Sequence, residues 1–242
     1  MSKVHAMRKG TRITVFDTLR GFTVLSMVAF HVTYDLAYLY GIKIPWYTVG
    51  PFQEIWRSSI SWTFLFLAGW MTNLSRNNIK RVGVYAIAAI TVYAATSLAS
   101  VDTPVSYGII FCMTASTLLF ELIKKPLERV PPLLGCMMCF TLFLITNSIP
   151  QYVYDIPHIA WLGFPDAGFT SGDYYPLIPY FFMYVCGSFA AKGFLAYEGG
   201  TYPTWMYRDI CHPLTWLGTQ SLLVYLVHQP LALLTLSIIF GH

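Results

Sequence analysis

The sequence predicts an all-α polytopic membrane bundle of about seven transmembrane helices, with the N-terminus inside and the C-terminus outside. Three observations carry that expectation. Hydrophobic residues make up 56% of the 242 positions and charged residues only 11%. The mean hydropathy is +0.55. Apolar runs of about 20 residues, the length that crosses a bilayer as a helix, recur along the whole chain. Such a composition excludes the ordinary soluble globular class.

The runs fall at 16–40, 53–74, 81–99, 104–123, 132–150, 174–196 and 213–240, and are read as one integral membrane domain over 1–242. The first is not expected to be a cleaved signal peptide, because Arg20 and His31 interrupt its apolar core and no small-x-small site follows. The last is longer than a bilayer needs. Its Gly218-Thr219 step suggests a short interfacial piece before a span in which Pro230 is expected to introduce a kink.

Charge fixes the expected orientation. Thirteen of the fifteen basic residues, among them Lys3, Arg8, Lys9, Arg12, Arg20, Lys124 and Arg208, fall at the N-terminal end or in loops on one side; only Lys43 and Arg57 fall on the other. The positive-inside rule therefore places the N-terminus in the cytoplasm. The net charge of +4 then needs no nucleic-acid partner. Asp102, Asp155, Asp166 and Asp173 lie in the outer loops, of which 151–173 is long enough to cover a pocket.

The five cysteines are odd in number and lie in or beside the spans, so they are read as small apolar residues; no metal is expected. Cys136 and Cys139 form a C-x-x-C without a second pair or a nearby histidine. The chain has no Walker loop, GxGxxG or HExxH.

The first span carries the strongest functional signal. Asp17, Arg20, His31 and Asp35 share one stripe: at 100° per residue, Arg20 and His31 differ by about 20° in azimuth, and Asp17 and Asp35 coincide. Ionisable groups within a bilayer cost about 2.5 to 3.5 kcal/mol each even on the lenient scale, so such a seam needs a polar interior or a function. His31 lies about 16 Å along the helix from Arg20, in the outer half of the membrane, and Asp35 follows one turn later. Histidine can take and return a proton near neutrality, and a carboxylate partner fixes its tautomer; the pair suits a general base. A histidine hydrogen-bonded to a neighbouring helix would give the same pattern.

Arg20, three residues after Asp17, is either a snorkelling anchor with an intrahelical ion pair or a guanidinium that binds a phosphate or pantetheine oxygen from the cytoplasm. His228-Gln229-Pro230 in the last span must face other helices. Its histidine is a second pocket imidazole or an oxyanion donor, or the pair knits helices around the proline. Asp173 and Tyr174 open the sixth span either as an ordinary helix start and aromatic belt or as an edge that binds acceptor hydroxyls.

Several stretches in register go further: Phe16-Asp17-Thr18-Leu19-Arg20-Gly21, His31-Val32-Thr33-Tyr34-Asp35-Leu36, Phe64-Leu65-Phe66-Leu67-Ala68-Gly69, Tyr107-Gly108-Ile109-Ile110, Trp161-Leu162-Gly163-Phe164, Asp173 to Pro179, and Ser221 to Pro230. In this order they resemble the compact bacterial branch of the heparan-alpha-glucosaminide N-acetyltransferase catalytic-domain family, within the wider transmembrane acyltransferase group. The resemblance implies transfer of an acyl group from cytoplasmic acyl-CoA to an acceptor on the far side. Related acyltransferases mark their first helix with an arginine and a histidine at the spacing of Arg20 and His31. Compact members often place a histidine shortly after the Gly-Ile pair of the fourth span, where this chain has Phe111.

The expected function is thus an acetyl-CoA-dependent acyltransferase in the bacterial cytoplasmic membrane, modifying an amino sugar or other carbohydrate at the outer surface; an oligomer is compatible with it. His31, Asp35 and His228 would be catalytic, Arg20 and Asp17 would meet the CoA side, and Asp173, Tyr174 and Gln229 the acceptor. Two other functions fit the same residues. One is a bis-histidine haem protein using His31 and His228, at depths about 7 Å apart. The other is a proton-coupled small-molecule transporter using the seam as a path.

Overall fold

A computed structural model describes residues 12–99 and 103–241. Lys3, Arg8, Lys9 and Asp102 lie outside the described residues. The elements are helical: α1 (Thr14–Tyr38), α2 (Pro45–Thr48), α3 (Phe52–Thr72), α4 (Asn78–Ala99), α5 (Ile109–Leu127), α6 (Pro132–Thr146), α7 (Leu177–Tyr197), α8 (His212–Thr219) and α9 (Ser221–Phe240). Among the described residues no strand forms beyond one isolated bridge between Tyr107 and Tyr174. Among the described residues, five stretches are long and apolar enough to cross a membrane: α1, α4, Pro132–Gln151, α7 and α9. The 21-residue α3 and 19-residue α5 are of similar length. What sets them apart is polarity: Glu54, Arg57 and several serines in α3, and Glu121, Lys124 and Lys125 in α5.

The described chain groups into two units, one from the segments up to Ile60 and from Glu198 on, the other from Ser61 to Tyr197. In the first, α1 packs against α8 and α9. Its buried residues Asp17, Gly21, Val24, Met27, Phe30 and Asp35 recur every three to five positions, while Leu19, Phe22 and Leu25 are exposed, as a one-sided helix requires. The polar seam therefore lies on the packed face. Gly21 and Gly218 make the α1–α8 crossing possible. A Cβ on Gly21 would sit 1.9 Å from the Leu214 carbonyl oxygen, and one on Gly218 would sit 1.8 Å from that of Asp17. Thr18 and Thr215 hydroxyls meet across the same crossing at 2.8 Å.

The long terminal run breaks where the Gly218-Thr219 step suggested it would. Gln220 leaves helical geometry between α8 and α9 (φ −102°, ψ 12°), and α9 then continues through Pro230. Proline lacks the N–H that would bond the carbonyl four residues back, so the helix there depends on other partners.

In the second unit, α4 packs on α5 and α6 on α7. The Tyr184 phenol is fully buried and joins three helices, 2.7 Å from Thr72 Oγ1 in α3 and donating to Thr117 Oγ1 in α5 at 3.0 Å. The expected 104–123 span begins only at Ile109, and the expected 174–196 span at Leu177. The reason is a short paired stretch: the Tyr175 N–H donates to the Tyr107 carbonyl at 2.8 Å and the Gly172 N–H to that of Pro104 at 3.2 Å. Pro104 and Pro176 also disfavour helical geometry in the residues before them. Within α7, Ile178 is extended (φ −97°, ψ 124°) ahead of Pro179. The expected 132–150 span is α6 followed by a 3-10 turn at Ile149–Gln151.

Candidate active site

The seam of α1 has two polar ends in the first unit. At the N-terminal end, the Asp17 carboxylate, 3% exposed, accepts from both Arg20 and Arg12, the latter also through Nη2 at 2.9 Å. Asp17 thus makes the intrahelical pair with Arg20, yet one carboxylate shared by two guanidinium groups leaves a surplus positive charge. The Arg20 Nε donor is buried and makes no hydrogen bond. A buried unpaired donor beside a net cation is the environment an anionic oxygen satisfies.

Toward the other end, α1 and α9 bring His31 and His228 into contact, with ring centroids 4.9 Å apart and planes inclined at 59°. His228 Nδ1 lies 2.7 Å from the Tyr225 carbonyl oxygen. A carbonyl only accepts, so the proton sits on Nδ1 and Nε2 presents a lone pair. That Nε2 is buried without a partner. A neutral His228 therefore accepts at Nε2, and the oxyanion-donor role requires it to be protonated. Rings in direct contact leave no slot between them for the porphyrin of a bis-histidine haem.

Asp35, 1% exposed, takes Gln229 as its partner: the amide Nε2 donates to both carboxylate oxygens, at 3.1 and 3.0 Å. Gln229 Oε1 is left buried and unpaired. The adjacent residues His228 and Gln229 thus meet His31 and Asp35, which lie one turn apart on α1. The arrangement offers an imidazole pair, an oriented carboxylate and two unsatisfied acceptor atoms within one helix pair.

Asp173 and Tyr174 belong to the second unit and are engaged there. The Ile109 N–H donates to Asp173 Oδ2 at 3.3 Å, so the carboxylate caps the start of α5, where a negative charge also suits the helix dipole. Tyr174 donates its hydroxyl to the Ala160 carbonyl at 2.7 Å. Asp173→Ala is expected to cost about 1 kcal/mol of stability in thermal unfolding; an unchanged midpoint would refute the cap. Phe111 packs its ring on Tyr107 at 5.0 Å. Cys136 approaches Cys186 of α7, Sγ to Sγ 3.5 Å, and all five cysteines are free thiols. Among the described residues no three His, Cys, Asp or Glu side chains gather as a metal site.

Two groups in the first unit escape a reading by sequence spacing. Asp209 bonds His212 Nδ1 at 2.7 Å and accepts from Thr215 Oγ1 at 2.6 Å. The Thr215 hydroxyl, then His212, hold its carboxyl below the usual range. The second is an aromatic cluster around Tyr47, for which the run Ile44-Pro45-Trp46-Tyr47 before a second helix is the only local cue.

The sequence profile described as Heparan-alpha-glucosaminide N-acetyltransferase, catalytic, matches residues 12–230, which include every residue of the seam and of the histidine pair. No curated protein and no solved structure matches the chain.

Proposed function

The chain belongs to the heparan-alpha-glucosaminide N-acetyltransferase catalytic family, and on that premise we propose that it transfers an acetyl group from cytoplasmic acetyl-CoA to an amine or hydroxyl of a carbohydrate outside the bacterial cytoplasmic membrane. The observation that carries this reading is the contact of His31 with His228, with Asp35 held by Gln229, on the same α1 face as the Asp17–Arg20 cluster. We read the seven long helices α1, α3, α4, α5, α6, α7 and α9 as spans, with the N-terminus inside, because that topology collects thirteen of the fifteen basic residues on the cytoplasmic side.

In this orientation Arg20 lies at the cytoplasmic end of α1 and engages a phosphate or pantetheine oxygen of the donor. The His31–His228 pair takes the proton from the acceptor amine or hydroxyl as its nitrogen or oxygen attacks the thioester carbonyl. The C–S bond then breaks, and the proton passes to the CoA thiolate. Positioning thioester and nucleophile within a water-poor site supplies much of the rate, which suits so few polar groups. Asp35 stabilises the imidazolium that forms transiently, and Gln229 keeps that carboxylate in place.

Purified protein incubated with radiolabelled acetyl-CoA should transfer label to an outer-surface amino sugar and to no acceptor-free control beyond a single covalent equivalent. No transfer to any carbohydrate would overturn the acceptor class. Arg20→Lys keeps the charge but loses the planar fork. It should raise the KM for acetyl-CoA by about tenfold with a smaller change in kcat, the loss of one charge-assisted hydrogen bond. An unchanged KM would remove Arg20 from the donor site.

A further inference from the structure

The C-terminal end of α1, α2 and the start of α3 enclose a ring cluster that the transfer chemistry does not use. Tyr47, with no exposed surface, packs edge-on against Phe30 at 5.7 Å and Trp56 at 6.2 Å; Phe30 in turn meets His31 at 5.7 Å. Trp46 leans on Tyr47, Phe52 and Trp56, yet is 57% exposed. Trp56 is fixed by donating its indole N–H to Ser26 Oγ at 2.8 Å. Tyr38, half exposed, donates to Gln53 Oε1 at 3.0 Å, so Gln53 keeps two amide donors at the rim. The buried Tyr47 hydroxyl completes no hydrogen bond, although Gln53 stands beside it.

We propose that Trp46, with Tyr38 and Gln53 at its rim, is a stacking subsite for a pyranose ring of the carbohydrate acceptor, one sugar unit away from the unit that receives the acetyl group. The proposal rests on the transfer reading and deepens it. An exposed indole braced by three other rings offers a rigid apolar face, and a sugar ring presents C–H groups on one face with hydroxyls around its edge. Gln53 and the Tyr38 hydroxyl, bonded to each other beside Tyr47, supply polar groups in the same cluster, the usual division between apolar wall and orienting polar groups. Register on α1 separates the subsite from the chemistry: Tyr38 is seven residues beyond His31, about 10 Å along the helix. Phe30 and Tyr47 fill the interval with rings. On the proposal, a monosaccharide at His31 stops short of Trp46, and a second sugar unit would reach it. The competing role is an aromatic anchor at the membrane surface.

Glucosamine and its β-1,4-linked dimer should be titrated calorimetrically into purified wild-type protein, Trp46→Ala and Trp46→Phe, and their acetylation rates measured in parallel. The dimer is expected to bind the wild type about tenfold more tightly than the monomer. Trp46→Ala should erase that preference, Trp46→Phe should retain most of it, and kcat on the monomer should change less than about threefold. Should Trp46→Ala not fold, Gln53→Ala and Trp46→Phe carry the test by a partial loss confined to the dimer. Equal wild-type affinity for the two sugars, or a dimer preference that survives Trp46→Ala, overturns the subsite. A membrane anchor gives that second result together with lower thermal stability. Acetylation of both sugars with the same KM sinks the subsite and leaves the transferase reading standing. A Trp46-dependent dimer preference with no acetylation of either sugar does the reverse.

Discussion

His31→Ala is expected to lower acetyl transfer by about a thousandfold while leaving the protein folded, within the range that a positioned general base contributes. Alanine is a good helix former and α1 is held by many apolar contacts, so loss of one half-buried imidazole should not unfold it. His228→Ala tests which imidazole takes the proton. His228 has its Nδ1 proton committed to the Tyr225 carbonyl and its Nε2 lone pair unpaired, so it can accept without any change of tautomer. If His228 is the base, His228→Ala should fall about a thousandfold, at least as far as His31→Ala. If His31 is the base and His228 only supports it, His228→Ala should lose about ten- to a hundredfold. Because the rings touch, the double variant should lose far less than the product of the two single losses, as residues acting as a unit do. Independent losses that multiply would separate the two residues into different roles, and a His31→Ala enzyme of normal activity would remove the mechanism.

Much of the fold was legible because lipid and helix geometry impose strong patterns. Each expected apolar run contains a helix, and the extra length of the final run marked the break at Gln220. Helix starts were harder to read. The 104–108 stretch is apolar enough to continue α5, but its backbone pairs with residues 172–175, nearly 70 positions away in sequence, and no periodicity reports such a partner. Asp173 shows the same difficulty from the other side. It sits at the start of one helix in sequence and caps a different helix in space.

The site was legible as far as one helix can show it. The spacing of Asp17, Arg20, His31 and Asp35 predicted a shared face, and that face is the packed one. The partners across space were not given by spacing. Asp35 was expected to orient His31 one turn away; that it also accepts from Gln229, nearly 200 residues later, no spacing announced. Gln229 in turn was expected to face an acceptor; its amide nitrogen lies against the Asp35 carboxylate, and its Oε1 is buried without a hydrogen bond. The aromatic cluster escaped because interfacial tyrosines and tryptophans are common in any span, and only the complete burial of Tyr47 distinguishes this group.

Gly21→Ala is expected to destabilise the protein even though alanine improves helix propensity by about 1 kcal/mol. The added Cβ would lie 1.9 Å from the Leu214 carbonyl oxygen and 2.7 Å from its carbon, both backbone atoms that no rotamer change can remove. Helix α8 must move away, and the cost of such overpacking, about 1 to 3 kcal/mol and sometimes more, exceeds the propensity gain. Gly21→Val should be worse, with a fall in melting temperature on the order of 10 °C. Gly83 in α4 provides the control: nothing lies within 4 Å of a Cβ there, so Gly83→Ala should stabilise by up to about 1 kcal/mol. The crossing also couples packing to chemistry. Gly218 rests against the Asp17 carbonyl, and the Asp17 side chain holds Arg20. Gly218→Ala should therefore raise the KM for acetyl-CoA as well as lower the melting temperature, and the Thr18–Thr215 hydroxyl pair should part with it. If Gly21→Ala and Gly83→Ala gave the same shift, α1 and α8 would not cross backbone to backbone, and the position of Asp17 and Arg20 would have to be set by something else.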